Sequence, residues 1–250
     1  MEQGKVAIVT GGGRGIGAAT ALELGRRGYA VCVNYRRDGR AAAEIVTELE
    51  RLGAAAVAVA ADVADEEAVV RLFRETDAAL GPVVALVNNA GIVLPQMRVE
   101  QMSGARIREM LATNVVGPLL CAREAIKRMA KRHGGRGGAI VNVSSAASRI
   151  GAGGEYVDYA ASKGAVDAMT LGLSVELATE GIRVNCVRPG PIHTEMHAAG
   201  GEPNRIERVK GSIPMQRGGT PEEVAHAIVW LLSDEAAYCT GAFLDVAGGR

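Results

Sequence analysis

The chain has 250 residues, 48% of them hydrophobic and 22% charged, which is globular composition with length enough for one large α/β domain and argues against disorder. Its 28 basic and 28 acidic residues cancel and only 3% of residues are aromatic, so no global field draws nucleic acid or a membrane surface, and stacking platforms for single strands are excluded. No apolar run approaches the roughly 18 residues of a membrane span, and the first residues, from Met1 to Lys5, show no cleavable apolar leader, so we expect a cytoplasmic protein.

Val6-Ala7-Ile8-Val9 reads as a first strand, followed by the turn Thr10-Gly11-Gly12-Gly13-Arg14-Gly15-Ile16-Gly17 and then by Ile16, Ala19, Thr20 and Leu24 at helical spacing. Strand, glycine-rich turn and helix together bring backbone N–H groups and the positive helix end against a phosphate. A second strand over 30–34 precedes a helix over 40–52 that stops at Gly53. Dinucleotide sites usually place an acid about 20 residues past the glycines, on the adenosine ribose. Here that stretch is Tyr35-Arg36-Arg37, with no acid before Asp38. A carboxylate repels a 2′-phosphate whereas Arg36, helped by Arg14, pairs with one, so NADP(H) is favoured and NAD(H) is the alternative.

A third strand over 55–61 ends at Asp62-Val63, where Asp62 can face an adenine amino group, and a helix over 65–80 opens on acids suited to its N-terminus. The fourth strand, 83–87, runs into Asn88-Asn89-Ala90-Gly91. A helix from about 101 carries Asn114, and Gly117-Pro118 is expected to break or kink it before a second helical stretch over 119–132. A mid-helix asparagine is unfavourable and asks for a reason. The cations Lys127, Arg128, Lys131, Arg132 and His133 suit a helix C-terminus better than a docking patch.

The fifth strand, 139–143, delivers Ser144-Ser145 at its carboxyl end. In the helix that follows, capped by Gly181, Tyr159 and Lys163 stand four apart and share a face. A phenol with a pKa near 10 exchanges protons poorly at neutral pH; a fixed cation beside it is expected to lower that value, and three units would take roughly 4 kcal/mol. The sixth strand, 182–187, leaves through Pro189-Gly190-Pro191-Ile192-His193-Thr194. The irregular segment 194–219 interrupts the alternation and reads as a substrate lid with two short helical stretches. His193 and His197 flank Glu195 but no third ligand is evident, so no metal is expected. Thr220-Pro221-Glu222-Glu223 opens a helix to about 232, and a last strand covers 242–246. Cys32, Cys121, Cys186 and Cys239 lack CxxC spacing and read as reduced thiols, mostly in the core. The whole alternation describes one domain: an α/β, doubly wound sheet of about seven parallel strands with helices on both faces, whose strand ends share one edge.

Thr10-Gly11-xxx-Gly15-x-Gly17, Asn88-Asn89-Ala90-Gly91, Asn114, Ser145, Tyr159-xxx-Lys163 and Pro189-Gly190-xxx-Thr194, in this order, resemble the short-chain dehydrogenase/reductase family over about residues 5–249. Ser145 lies fourteen residues before Tyr159 where members more often have thirteen, which makes Ser144 a rival. The resemblance implies a Rossmann fold and hydride exchange between a nicotinamide and the carbonyl or secondary alcohol of a small molecule. Tyr159 would be the acid/base, Lys163 would hold the nicotinamide ribose and acidify Tyr159, Ser145 would bind the substrate oxygen, and Asn114 would anchor a relay water. It also implies phosphate contacts from Gly11, Arg14 and Ile16 beside Gly15 and Gly17, and a cofactor wall of Tyr35, Arg36, Asp62, Val63, Asn89, Ala90, Gly91, Pro189 and Gly190. Ile192 and Thr194 would bind the carboxamide. Members tend to be homotetramers, with dimers as the lesser case. Sugar (glucose) dehydrogenases and 3-oxoacyl-carrier reductases look nearest, the second calling for basic residues that dock an acidic carrier. A nucleotide-sensing regulator on the same fold would need no tyrosine–lysine pair.

Overall fold

Runs such as VAIV and VVALVN carry no charge on either face, the signature of strands covered from both sides. In the computed structural model, which describes residues 4–250, they form one sheet; residues 1–3, on which part of the no-leader expectation rests, lie outside the described residues. In chain order the elements are β1 (Val6–Val9), α1 (Gly15–Arg26), β2 (Ala30–Tyr35), α2 (Gly39–Arg51), β3 (Ala56–Ala60), α3 (Glu66–Leu80), β4 (Val83–Asn88), α4 (Gly104–Leu111) and α5 (Gly117–Met129). They continue with β5 (Gly138–Val143), α6 (Ala147–Ile150), α7 (Val157–Glu176), β6 (Ile182–Pro189), α8 (Met196–Ala199), α9 (Arg205–Val209), α10 (Pro221–Leu232) and β7 (Phe243–Val246).

The seven strands are ordered β3-β2-β1-β4-β5-β6-β7 and every neighbouring pair is parallel. This is the doubly wound Rossmann fold, and each face has its own core. Phe73, Leu72, Cys121 and Met129 of α3 and α5 cover one face, while Leu24, Leu49, Ile228 and Val229 of α1, α2 and α10 cover the other. The chain winds first to one end of the sheet and then to the other, so β1 and β4 lie side by side with their connections diverging. That divergence opens a crevice at the carboxyl ends of these two strands.

Two expectations are corrected. Gly117-Pro118 does not break the helix: Ala112–Val116 winds as a π turn that leads directly into α5. The widened turn displaces the carbonyl that the Pro118 ring would otherwise meet. Gly117 is there for close packing, since a Cβ would stand 2.7 Å from Val63 Cγ2. Gly181, with φ +75°, caps a 3₁₀ turn over Ala178–Glu180 rather than α7 itself. The cationic end of α5 is neutralised internally: Lys127 pairs with Glu124 and Arg128 with Asp77, each at 2.7 Å, and Arg132 with Glu180 at 3.0 Å. All four cysteines are free, and burial pushes the thiols of Cys32, Cys121 and Cys186 up to about 12. Among the described residues no helix is long and apolar enough to cross a membrane.

Candidate active site

The glycine-rich turn is held by three side chains, Thr10, Asn89 and Asn34. The buried Thr10 hydroxyl donates to Val87 O at 3.1 Å and accepts from the backbone N–H groups of Asn89 and Ala90, both at 3.0 Å. Asn89 returns its side-chain amide to Thr10 O at 2.9 Å and Gly11 O at 3.2 Å, so what Asn89 has left for a ligand is its oxygen. Asn34, fully buried, accepts from Gly11 N at 3.2 Å and donates to Ala61 O at 3.0 Å. Its one signal in the sequence is a polar residue closing an apolar run, and burial demands that such a group be bonded.

Gly15 has φ +52°, and Thr194 Cγ2 stands 3.2 Å from where its Cβ would be; a Cβ on Gly17 would lie 2.2 Å from Gly11 O. Only glycine fits at position 17, because the obstacle is backbone. Helix α1 starts here with Ile16 in its first turn, no capping side chain and no acid in that turn. Its leading N–H groups therefore present an uncompensated positive end, which suits a phosphate. Arg14, at the cap, reaches across to Glu195 at 3.3 Å.

On the β2–β3 side, Arg36 lies 3.6 Å from Asp62, and Asp62 also accepts from Ala64 N at 3.0 Å. The two residues assigned to the adenosine end thus hold each other when no nucleotide separates them. The Tyr35 hydroxyl lies 3.1 Å from where a Gly39 Cβ would stand, and Val63 is buried beneath Gly117.

At the other end of the crevice Asn114, Ser145, Tyr159 and Lys163 converge. A Cβ on Gly91 would sit 3.4 Å from Asn114 Oδ1 and 3.5 Å from Lys163 Nζ. Asn114 occupies the π turn, fully buried. Its Oδ1 accepts from Ile92 N at 2.8 Å, and its amide donates to Ile92 O at 3.0 Å and to Ser162 Oγ at 3.1 Å. Ser162 in turn donates to Tyr159 O at 2.7 Å, a bridge that only the tertiary contact reveals. Of the two serines, Ser144 is turned away and donates to Lys163 O at 3.1 Å, whereas Ser145 Oγ accepts from Ala147 N at 3.1 Å and lies close enough to Tyr159 to lower its pKa. Asp158, just before Tyr159, accepts from Arg106 Nε at 2.8 Å in a buried ion pair and from Tyr159 N at 2.9 Å.

Here the expected electrostatics are corrected. Lys163 Nζ donates to Val143 O at 2.7 Å and stands 5.7 Å from the Tyr159 ring centroid. Burial raises the Tyr159 pKa, opposed first by the Ser145 hydroxyl and then by the Arg205 charge. Burial also lowers the Lys163 pKa, to about 8. Removing a phenolate or an ammonium from water costs more than a cation that is not in contact returns.

Pro189 and Gly190 close the far side. Gly190 N donates to Val246 O at 2.9 Å, and Ile192 pairs with Gly219 so that the segment 194–219 starts and ends at one place. Beyond Tyr159 a cavity opens, walled by Ala146, Ile150, Tyr156, Met196, His197 and Arg205. His197 Nε2 lies 3.0 Å from Ile192 O.

The glycine turn lies at the switch point of a parallel sheet, where open α/β folds bind their ligands. A family model described as enoyl-(acyl carrier protein) reductase matches residues 11–250. The chain is 60% identical over 245 residues to the uncharacterized oxidoreductase YgfF of Escherichia coli, covering 98% of this chain and 99% of that protein. It is 39% identical to 3beta-hydroxysteroid dehydrogenase 1 of Eggerthella lenta, covering 99% and 94%, and 37% identical to glucose 1-dehydrogenase 2 of Bacillus subtilis, covering 98% and 94%. The crystal structure of a short-chain dehydrogenase from Burkholderia cenocepacia in complex with NADP superposes with a TM-score of 0.89 at 31% identity, covering 98% of this chain and 97% of that one. The chain belongs to the short-chain dehydrogenase/reductase family and is an enzyme acting on a carbonyl or alcohol.

Proposed function

We propose that this enzyme transfers a hydride between NADP(H) and a carbonyl or secondary alcohol, with Tyr159 as the proton donor and acceptor. The observation that carries the reading is that Asn114 and Lys163 meet at Gly91, with Tyr159 one helical turn from Lys163 and Ser145 close to Tyr159, at the end of the crevice that the glycine turn opens. The uncapped start of α1 and the backbone-limited space at Gly17 fit a pyrophosphate. Gly11, Arg14, Gly15, Ile16 and Gly17 would hold it, with Tyr35, Arg36, Asp62, Val63 and Asn89 at the adenosine end. Ala90, Gly91, Lys163, Pro189, Gly190, Ile192 and Thr194 would line the nicotinamide end. When bound, the nicotinamide supplies or accepts the hydride at the substrate carbon.

The residues of the chain then handle the proton. Ser145 and Tyr159 together would address the reacting oxygen, which receives the Tyr159 proton in reduction and returns it in oxidation. Lys163 and Asn114, both beside Gly91, would pass the proton on through a water that Asn114 anchors. Arg36 favours NADP(H), since the strand end carries no acid to repel a 2′-phosphate, and the NADP complex of the Burkholderia relative supports that choice. NAD(H) is the second cofactor. Residues 1–250 would work as one dinucleotide-binding and catalytic unit, with 194–219 as its lid, in the cytoplasm.

The test is replacement of Tyr159 by Phe. Turnover of the best substrate in a panel of ketones and alcohols should fall at least about a thousandfold, with NADPH affinity changed by no more than a few-fold. Full turnover in that variant refutes the assignment.

A further inference from the structure

The walls of the cavity beyond Tyr159 differ sharply in what they leave free. Val93, Ala147, Ile150, Ala152 and Met196 present only carbon and sulfur. The polar side chains on the walls are mostly spent on the protein itself. The Tyr156 hydroxyl donates to Gly200 O. The two terminal guanidinium nitrogens of Arg205 bind Glu202 at 2.9 Å and Glu155 at 2.7 Å, and the guanidinium stacks 4.8 Å from the Tyr156 ring centroid. His197 must donate through Nε2, because its partner there, Ile192 O, can only accept. Burial holds the His197 pKa below normal, so the ring is neutral and that donor is fixed. Arg250, the acceptor nitrogen Nδ1 of His197 and the Tyr159 hydroxyl are the polar side-chain groups left for a ligand.

We infer that the substrate carries an apolar carbon skeleton next to its reacting carbonyl or hydroxyl, as in an aliphatic or alicyclic ketone, and is not a polyhydroxylated sugar. This inference rests on the proposed hydride transfer. A polyol entering the cavity gives up its water and meets few uncommitted side-chain groups against a largely aliphatic wall, and each hydroxyl left without a partner costs binding. A hydrocarbon skeleton loses nothing there and gains from leaving water. Sites that do accept sugars need convergent donors and acceptors, because an unmatched polar group discriminates far more strongly than an unmatched methylene.

The experiment uses the intact enzyme with saturating NADPH or NADP. Methyl ketones from butan-2-one to octan-2-one are compared in reduction, and cyclohexanol, myo-inositol and glucose in oxidation. We expect kcat/KM to rise about fourfold per added methylene until the cavity is filled, and cyclohexanol to exceed both myo-inositol and glucose by at least about a hundredfold. A flat response to chain length, or preference for either polyol, overturns the inference while leaving the hydride-transfer reading intact. Turnover of none of these compounds, with NADPH still bound, would instead overturn the proposed function and this inference with it.

Discussion

Lys163 shows how a single residue can be costly to the fold and still be kept. Its ammonium is 4% exposed and bonded to one carbonyl, and burial depresses its pKa from 10.5 to about 8. A lysine whose folded pKa lies below its unfolded value binds fewer protons in the folded state. The nucleotide-free protein therefore gains stability as pH rises from about 8 to about 10.5, and carries the full penalty below that window. The shift corresponds to about 3 kcal/mol. Lys163→Met should raise the melting temperature at pH 7 by a few degrees, narrow its advantage toward pH 10, and abolish turnover; calorimetry across pH checks this. Arg36 carries a second prediction at this scale. Arg36→Asp should shift the ratio of kcat/KM for NADPH over NADH by about tenfold to a hundredfold toward NADH, because two carboxylates at the end of β2 and β3 would repel a 2′-phosphate. An unchanged ratio removes Arg36 from the cofactor site.

Among the elements, α10 has the best-defined start. Thr220 accepts from Glu223 N, Glu223 accepts from Thr220 N at 2.8 Å, and Pro221 sits in the first turn. The same Glu223 pairs with Arg217 at 2.5 Å, which ties the end of the 194–219 segment to the helix and holds the Glu223 pKa down at about 2. Thr220→Ala should cost about 1 kcal/mol in urea unfolding without altering the m-value. The helix start was legible in the sequence because capping is a local matter settled within four residues. The π turn at Asn114 was not. The sequence showed an asparagine in a place that asked for a reason, followed by a Gly-Pro that predicted a break or a kink. The turn persists because Asn114 finds Ile92 and Ser162, partners 22 and 48 residues away, and because Val63 needs the space at Gly117.

For the whole molecule, several aliphatic side chains on the long helices stay exposed in the monomer. Leu119 on α5 is 46% exposed, and Leu171 and Val175 on α7 are 52% and 81% exposed. Runs of exposed aliphatic residues on two long neighbouring helices are the kind of surface that association covers. We expect a homo-oligomer, a tetramer by family resemblance, and Val175→Glu should shift it to a smaller species in light scattering after gel filtration. A monomeric native protein contradicts this.

Sequence alone settled the sheet and the position of its ligand edge, because apolar runs, glycine turns and capping signals are short-range properties and a parallel sheet leaves few ways to connect them. It also named Asn114, Ser145, Tyr159 and Lys163, through their order and spacing. Tertiary structure decided what those residues do to one another. That Lys163 points to a carbonyl, that Ser144 and not Ser145 is bound to Lys163 O, that Asn34 and Thr10 brace the glycine turn, and that the cavity walls have committed much of their polar surface all depend on burial and on contacts between distant segments. Desolvation scales with enclosure, and no spacing along a chain encodes enclosure.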